Sequence, residues 1–165
     1  AGPSREEARK SLGLDSTALV LGTVARVTPL KGFDDALNAI AGMVREFPNL
    51  VYLVVGDGVG LEETKTLAAQ LGIAERVRFV GYQSDIAPYL AAMDLFLFPS
   101  LKEAMGIALV EAMAAGLPTV ATDIGGIPEV LGSNCGLMVP VRSPQRLAEA
   151  SASLLRDTSL RASMA

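Results

Sequence analysis

The 165-residue chain contains no histidine, no tryptophan and a single cysteine, Cys135. Without histidine there is no Ser-His or Cys-His nucleophile pair, no imidazole base and no His-ligated metal. One cysteine excludes an internal disulfide and a thiolate cluster. Chemistry is left to carboxylates, lysine, arginine, hydroxyls and backbone amides. No apolar run reaches the ~18 residues of a membrane span. The nearest candidate, 86–101, is broken by Pro88, Asp94 and Pro99. The opening AGPSREEARKSLGL lacks the apolar stretch of a secretory leader, which together with the lone cysteine predicts a cytoplasmic setting. A net charge of −4 argues against nucleic acid as a partner, because such domains carry a basic stripe.

Half the residues are hydrophobic and 19% are charged, a globular composition, and the length suits one domain spanning 1–165. The pattern alternates apolar runs with helix-period segments. Strands are expected at 18–25, 50–55, 77–80, 94–98, 119–122 and 135–139. Helices are expected at 6–12, 33–47, 61–71, about 85–92, 106–115 and 144–155, with Gly72 and Gly116 as C-terminal caps and Ser143 as an N-cap. The strands are apolar throughout rather than alternating, as strands buried on both faces are. These features predict a three-layer αβα, Rossmann-like domain with a parallel sheet of about six strands. Residues 1–17 form a lead-in helix and 18–156 the core. Ligands of such sheets bind beyond the carboxyl ends of the strands, so the segments that follow strands hold the candidates.

After the first strand, Arg26 and Lys31 stand five residues apart in RVTPLKG. Two cations at that edge suit a diphosphate, and they also fit a solvated surface loop. After the fourth strand comes PSLKEAMG, with Glu103, leading into IALVEAMAA, with Glu111. The helix around Glu111 is apolar all round, which implies a buried carboxylate in need of partners such as ligand hydroxyls or backbone amides; the alternatives are a Glu on a narrow exposed stripe or one held by a structural ion pair. Gly106 opens that helix, whose free N–H groups and dipole suit an anion. Gly56-Asp57-Gly58-Val59-Gly60 fails the G-x-G-x-x-G spacing and reads as turn chemistry rather than a nicotinamide site. Gly125-Gly126 allows either close approach to a ligand or a tight turn. Cys135 is expected to be a buried core thiol. No D-x-D pair offers a clamp for a divalent metal.

The stretch PSLKEAMGIALVEAMAAGLPTVATDIGGIPE, with Glu103 and Glu111 separated by seven residues, resembles the signature of a large group of retaining glycosyltransferases of the GT-B fold (family 4, glycosyl transferases group 1). Arg26 to Gly32 resembles that family's phosphate-binding segment, and Gly56-Asp57-Gly58 and Val80-Gly81 also match. The likeness runs from about Leu19 to Arg156. One departure is Met105, where an aromatic residue is common. The resemblance implies the C-terminal, donor-binding half of a two-domain enzyme that uses a UDP-, GDP- or ADP-linked sugar, with retention and with neither metal nor other cofactor. Arg26 and Lys31 would hold the diphosphate, Glu111 the ribose hydroxyls, and Glu103 the donor sugar near its reacting carbon, as the catalytic contact. The backbone at Gly106 and Ile107 would face the phosphate, and Tyr82 would line the base. The acceptor, a sugar or lipid, and any peripheral membrane contact would belong to an N-terminal domain outside this chain. A nucleotide-binding module without transfer activity is the alternative.

Overall fold

The computed structural model describes residues 2–165. Six parallel strands, β1 (Leu19–Val24), β2 (Leu50–Val55), β3 (Val77–Phe79), β4 (Leu95–Phe98), β5 (Thr119–Thr122) and β6 (Gly136–Val139), form one sheet in the order β3-β2-β1-β4-β5-β6. Among the described residues eight α-helices flank it: α1 (Arg5–Ser11), α2 (Phe33–Met43), α3 (Leu61–Gln70), α4 (Ala87–Ala92), α5 (Ile107–Ala114), α6 (Ile127–Leu131), α7 (Pro144–Arg156) and α8 (Thr158–Ser163). The three-layer architecture inferred from the uniformly apolar strands is the one observed.

Alternate residues of each strand feed different layers. Leu21, Tyr52, Val54, Leu97 and Val120 pack under α2, α3 and α7. Val20, Leu53, Val55, Phe96, Phe98 and Ala121 pack under α1, α4, α5 and α6. Packing extends past 18–156 at both ends: Ala8 and Leu14 are buried in the second layer, and Leu160 and Met164 rest on the first. At the sheet's centre the Tyr52 and Thr23 hydroxyls pair at 2.8 Å, and Thr23 donates to the Leu97 carbonyl at 2.7 Å. Complete burial holds the Tyr52 phenol far above its usual pKa, so it acts as a neutral tie across β2, β1 and β4.

Several local expectations need correction. α6 and α8 were not foreseen, because each is under two turns long and shows too few periodic positions to read. Ser143 occupies the N-cap of α7, but its hydroxyl donates to the Val141 carbonyl instead of capping. Cys135 precedes β6 and is only partly buried. Gly72 and Gly116, both at φ +72 or close to it, stand just past α3 and α5 as C-terminal glycines should.

At the amino ends of the strands, α1 is held by a buried ion pair. Arg9 donates to Asp94 at 2.7 Å and also to the carbonyls of Ala92, Ser16 and Ala18. Asp94 in turn accepts from the Val20 N–H and from Arg5. Every charge-bearing atom of the pair is satisfied, so removal of one partner strands the other. Asp94→Ala is expected to lower unfolding free energy by about 3–5 kcal/mol in urea titrations. Because this edge is opposite the carboxyl ends of the strands, ligand affinity per folded molecule should stay unchanged.

Candidate functional site

β1 and β4 are neighbours, yet the chain leaves them in opposite directions, β1 toward β2 and β4 toward β5. The loops after them diverge and leave a crevice at this switch point. It contains a cleft of about 900 Å³ lined by Arg26, Leu30, Lys31, Lys102, Glu103, Met105, Gly106 and Ile107. A hollow of about 450 Å³ adjoins it, lined by Asp57, Tyr82, Gln83, Ile86 and Glu111. Val24, Ala25, Arg26, Ile107 and Ala108 border both. All seven residues singled out in the sequence therefore line one continuous crevice, with Arg26 at the junction.

The larger cleft is built by two loops stitched together. The Leu101 N–H donates to the Leu30 carbonyl at 2.9 Å. Gly32, at φ +71, brings the first loop so close that a Cβ there would lie 1.9 Å from the Pro99 carbonyl oxygen. Across this seam Lys31 Nζ meets Glu103 Oε2 at 2.7 Å, with both side chains mostly buried. The two residues, 72 positions apart in sequence, act as one unit, a pairing that local spacing could not reveal. Arg26 is exposed and has no side-chain partner among the described residues. Lys102 adds a third cation to the cleft wall; its place beside Glu103 in the same loop was the available signal.

Gly106 adopts the left-handed conformation, φ +69 and ψ +62, and starts α5 without any side chain capping the helix. A side chain at this position would press on Ile127 and Phe98. The first-turn N–H groups of α5 thus lack intrahelical partners and open on the cleft, where the helix dipole favours negative charge.

Glu111 is exposed: the burial implied by an all-round apolar helix is absent, and the exposed-stripe alternative is the one observed. Only Leu109 and Ala112 of α5 are buried, while Ile107 and Val110 stay 70% and 48% exposed. The helix is apolar on two sides because one side faces the core and the other faces the crevice, which composition alone cannot distinguish. Glu111 therefore needs no partner in the free protein and presents its carboxylate to the smaller hollow. Tyr82, 76% exposed, stands at the same end.

The glycine clusters serve the backbone. Cβ atoms at Gly56 and Gly58 would lie 1.8 and 2.4 Å from the carbonyl oxygens of Ala25 and Val27. The Val27 N–H donates to the Asp57 carbonyl at 2.9 Å, and the Gly60 N–H donates to the Val27 carbonyl at 2.9 Å. This turn after β2 braces the loop that carries Arg26, consistent with the reading as turn chemistry. Gly125 and Gly126 approach the Glu103–Ala104 backbone, with Gly125 in the left-handed region at φ +51. No group of three or more Cys, Asp or Glu side chains gathers in a metal-binding arrangement among the described residues.

A family model described as Glycosyl transferases group 1 matches residues 4–165. The D-inositol 3-phosphate glycosyltransferase of Corynebacterium urealyticum is 36% identical over 97% of this chain, which spans 40% of that relative's length. The structure of Anabaena HepE in complex with UDP superposes with a TM-score of 0.90 at 30% identity, over 97% of this chain and 45% of HepE. HepE has also been solved with UDP-glucose. The C-terminal domain of LpcC, a glycosyl transferase group 1 family protein of Francisella tularensis, superposes with a TM-score of 0.87 at 25% identity, over 98% of this chain and 87% of that domain. The chain belongs to the glycosyl transferases group 1 family, and its fold is that of the C-terminal domain of a GT-B glycosyltransferase.

Proposed function

We propose that this chain is the donor-binding domain of a retaining glycosyltransferase that uses a nucleoside diphosphate sugar. The observation that carries the reading is the continuous crevice, which has cations and a free helix N-terminus at its larger end and Glu111 with an exposed tyrosine at its smaller end. HepE, similar over this whole domain, binds UDP and UDP-glucose. In this reading the diphosphate lies between Arg26, Lys31 and the amides of Gly106 and Ile107. Glu111 accepts from the ribose hydroxyls, the base rests by Tyr82, and the sugar extends toward Glu103. Neither a metal nor another cofactor is required, because the helix end and the two cations supply the positive charge. The acceptor, a sugar or a lipid, is held by a second, N-terminal domain of a longer cytoplasmic enzyme, which also provides any peripheral membrane contact.

The catalytic role of this domain is to hold the donor and stabilise its departure. As the bond from the anomeric carbon to the phosphate oxygen breaks, negative charge grows on the diphosphate. Arg26, Lys31 and the α5 amides strengthen their bonds to it at that moment. Glu103, on the sugar side, orients the donor and faces the positive charge developing on the ring. The opposite wall of the cleft, which excludes water and carries the acceptor, lies outside this chain. A stand-alone nucleotide binder would have no use for Glu103, which favours the transferase reading.

Three outcomes test it. Calorimetry of the purified chain with UDP, GDP and ADP is expected to find one preferred diphosphate, and its addition to an acceptor mixture with the matching sugar conjugate should give no transfer. Binding of none of the three, or robust transfer, overturns the reading. Arg26→Ala should weaken the preferred diphosphate about ten- to a hundredfold, the equivalent of one charge-assisted hydrogen bond. Lys31→Ala should cost at least as much, because it leaves the Glu103 carboxylate unpaired beside the phosphates, and adding Glu103→Gln should restore part of the loss. Finally, Glu111→Gln should weaken the bare diphosphate about tenfold, whereas Glu103→Gln should spare it and remove only the extra affinity contributed by the sugar, read by competition between diphosphate and conjugate.

A further inference from the structure

We infer that Gly125 and Gly126, on the loop after β5, are positioning residues that set where Glu103 stands. The inference rests on the reading of Glu103 as the donor-sugar contact. A Cβ at Gly125 would lie 2.0 Å from the Glu103 carbonyl oxygen, and one at Gly126 would lie 2.5 Å from the Ala104 carbonyl oxygen. The Gly126 N–H donates to that same Ala104 oxygen at 3.2 Å. The main chain of residues 103–104 thus lies directly on the main chain of 125–126, with no room for a side chain between.

The two sides of this contact are not equally free to move. Gly126 is the N-cap of α6, whose first residue, Ile127, is fully buried in the second core layer and lies under Gly106. The 101–105 segment forms no regular structure and is partly exposed. A Cβ at position 126 is therefore relieved by displacing Glu103–Ala104 away from β5. Restoring an ordinary contact from 2.5 Å requires a shift of about 1 Å or slightly more, the scale at which a misplaced group loses on the order of a hundredfold in rate. Gly126 sits at φ −83, where alanine is unstrained, so Gly126→Ala isolates the contact. Gly125, at φ +51, would add backbone strain and is the poorer probe.

The experiment compares wild type, Gly126→Ala, Glu103→Gln and the double variant as the purified chain. The ligands are UDP, GDP and ADP, and UDP-glucose, GDP-mannose and ADP-glucose. Gly126→Ala is expected to melt cooperatively and to speed amide hydrogen exchange across 101–106 more than across 26–32, which meets that segment through the Leu101–Leu30 and Lys31–Glu103 contacts. Its affinity for the preferred bare diphosphate should stay within about twofold, and the additional affinity given by the sugar should fall about tenfold. The double variant should lose no more than the worse single variant, because both changes act through one contact. Unchanged exchange at 101–106, an intact sugar contribution, or additive losses in the double variant each overturn the inference. Should Gly126→Ala not fold, the wild-type chain carries the test: the Gly126 amide should gain protection from the sugar conjugate and not from the bare diphosphate, and equal protection overturns it. If Glu103→Gln itself leaves the sugar contribution intact, or none of the six ligands binds, the underlying reading falls; if Glu103→Gln removes it and Gly126→Ala does not, only the positioning role falls.

Discussion

The pairing of β1 with β4 in the centre of the sheet sets where the molecule's main crevice lies. Their strands run side by side, Leu21 against Leu95 and Gly22 against Phe96, while the chain beyond each turns to a different side. At this divergence the loops after β1 and β4 part, and the largest of the hollows among the described residues lies between them. The Thr23–Tyr52 hydroxyl pair and the bond to Leu97 tie β2, β1 and β4 together one residue before Val24, which borders the crevice.

Those loops are held mainly by backbone. Gly56, Gly58 and Gly60 from the β2 side brace the segment that bears Arg26, and Gly125 and Gly126 from the β5 side brace the segment that bears Glu103. In each case the strand flanking the central β1–β4 pair is followed by the glycines, and the central strand is followed by the charged residue. A carbonyl pressed against a glycine permits far less play than a side-chain contact, because neither partner has a rotamer to change. This is how segments without regular structure keep charged groups at fixed positions.

Much of this was legible in the sequence. The apolar runs gave the strands, the carboxyl-end rule pointed to the segments after them, and Arg26, Lys31, Tyr82, Glu103, Gly106, Ile107 and Glu111 all line the crevice. What the sequence hid was pairing over distance: Lys31 with Glu103, Arg9 with Asp94, Gly126 with Ala104. None of these leaves a periodic trace, since each depends on strand order. The exposure of Glu111 was hidden for another reason. Ile107 is apolar but lines an open crevice, and Val110 is apolar yet half-exposed, so the pattern that signals burial in a core equally describes an accessible surface.

Charge is distributed against the molecule's overall balance. The chain carries a net −4, which would repel a diphosphate at long range. At physiological ionic strength that field fades within about 8 Å, so the local groups decide. The larger cleft sets Arg26, Lys31 and Lys102 against Glu103 alone, and adds the positive end of α5. The smaller hollow sets Asp57 and Glu111 against Arg26. A ligand with its anionic groups in the middle and hydroxyl donors toward Glu111 satisfies both ends, whereas the reversed orientation brings phosphate against two carboxylates. Like-charge contacts of that kind cost several kcal/mol, enough to fix the direction in which an elongated ligand lies. In the proposed donor site the Lys31–Glu103 pair would sharpen this choice, because a phosphate that competes for Lys31 would leave the Glu103 carboxylate free to accept from the hydroxyls of the group the phosphate carries.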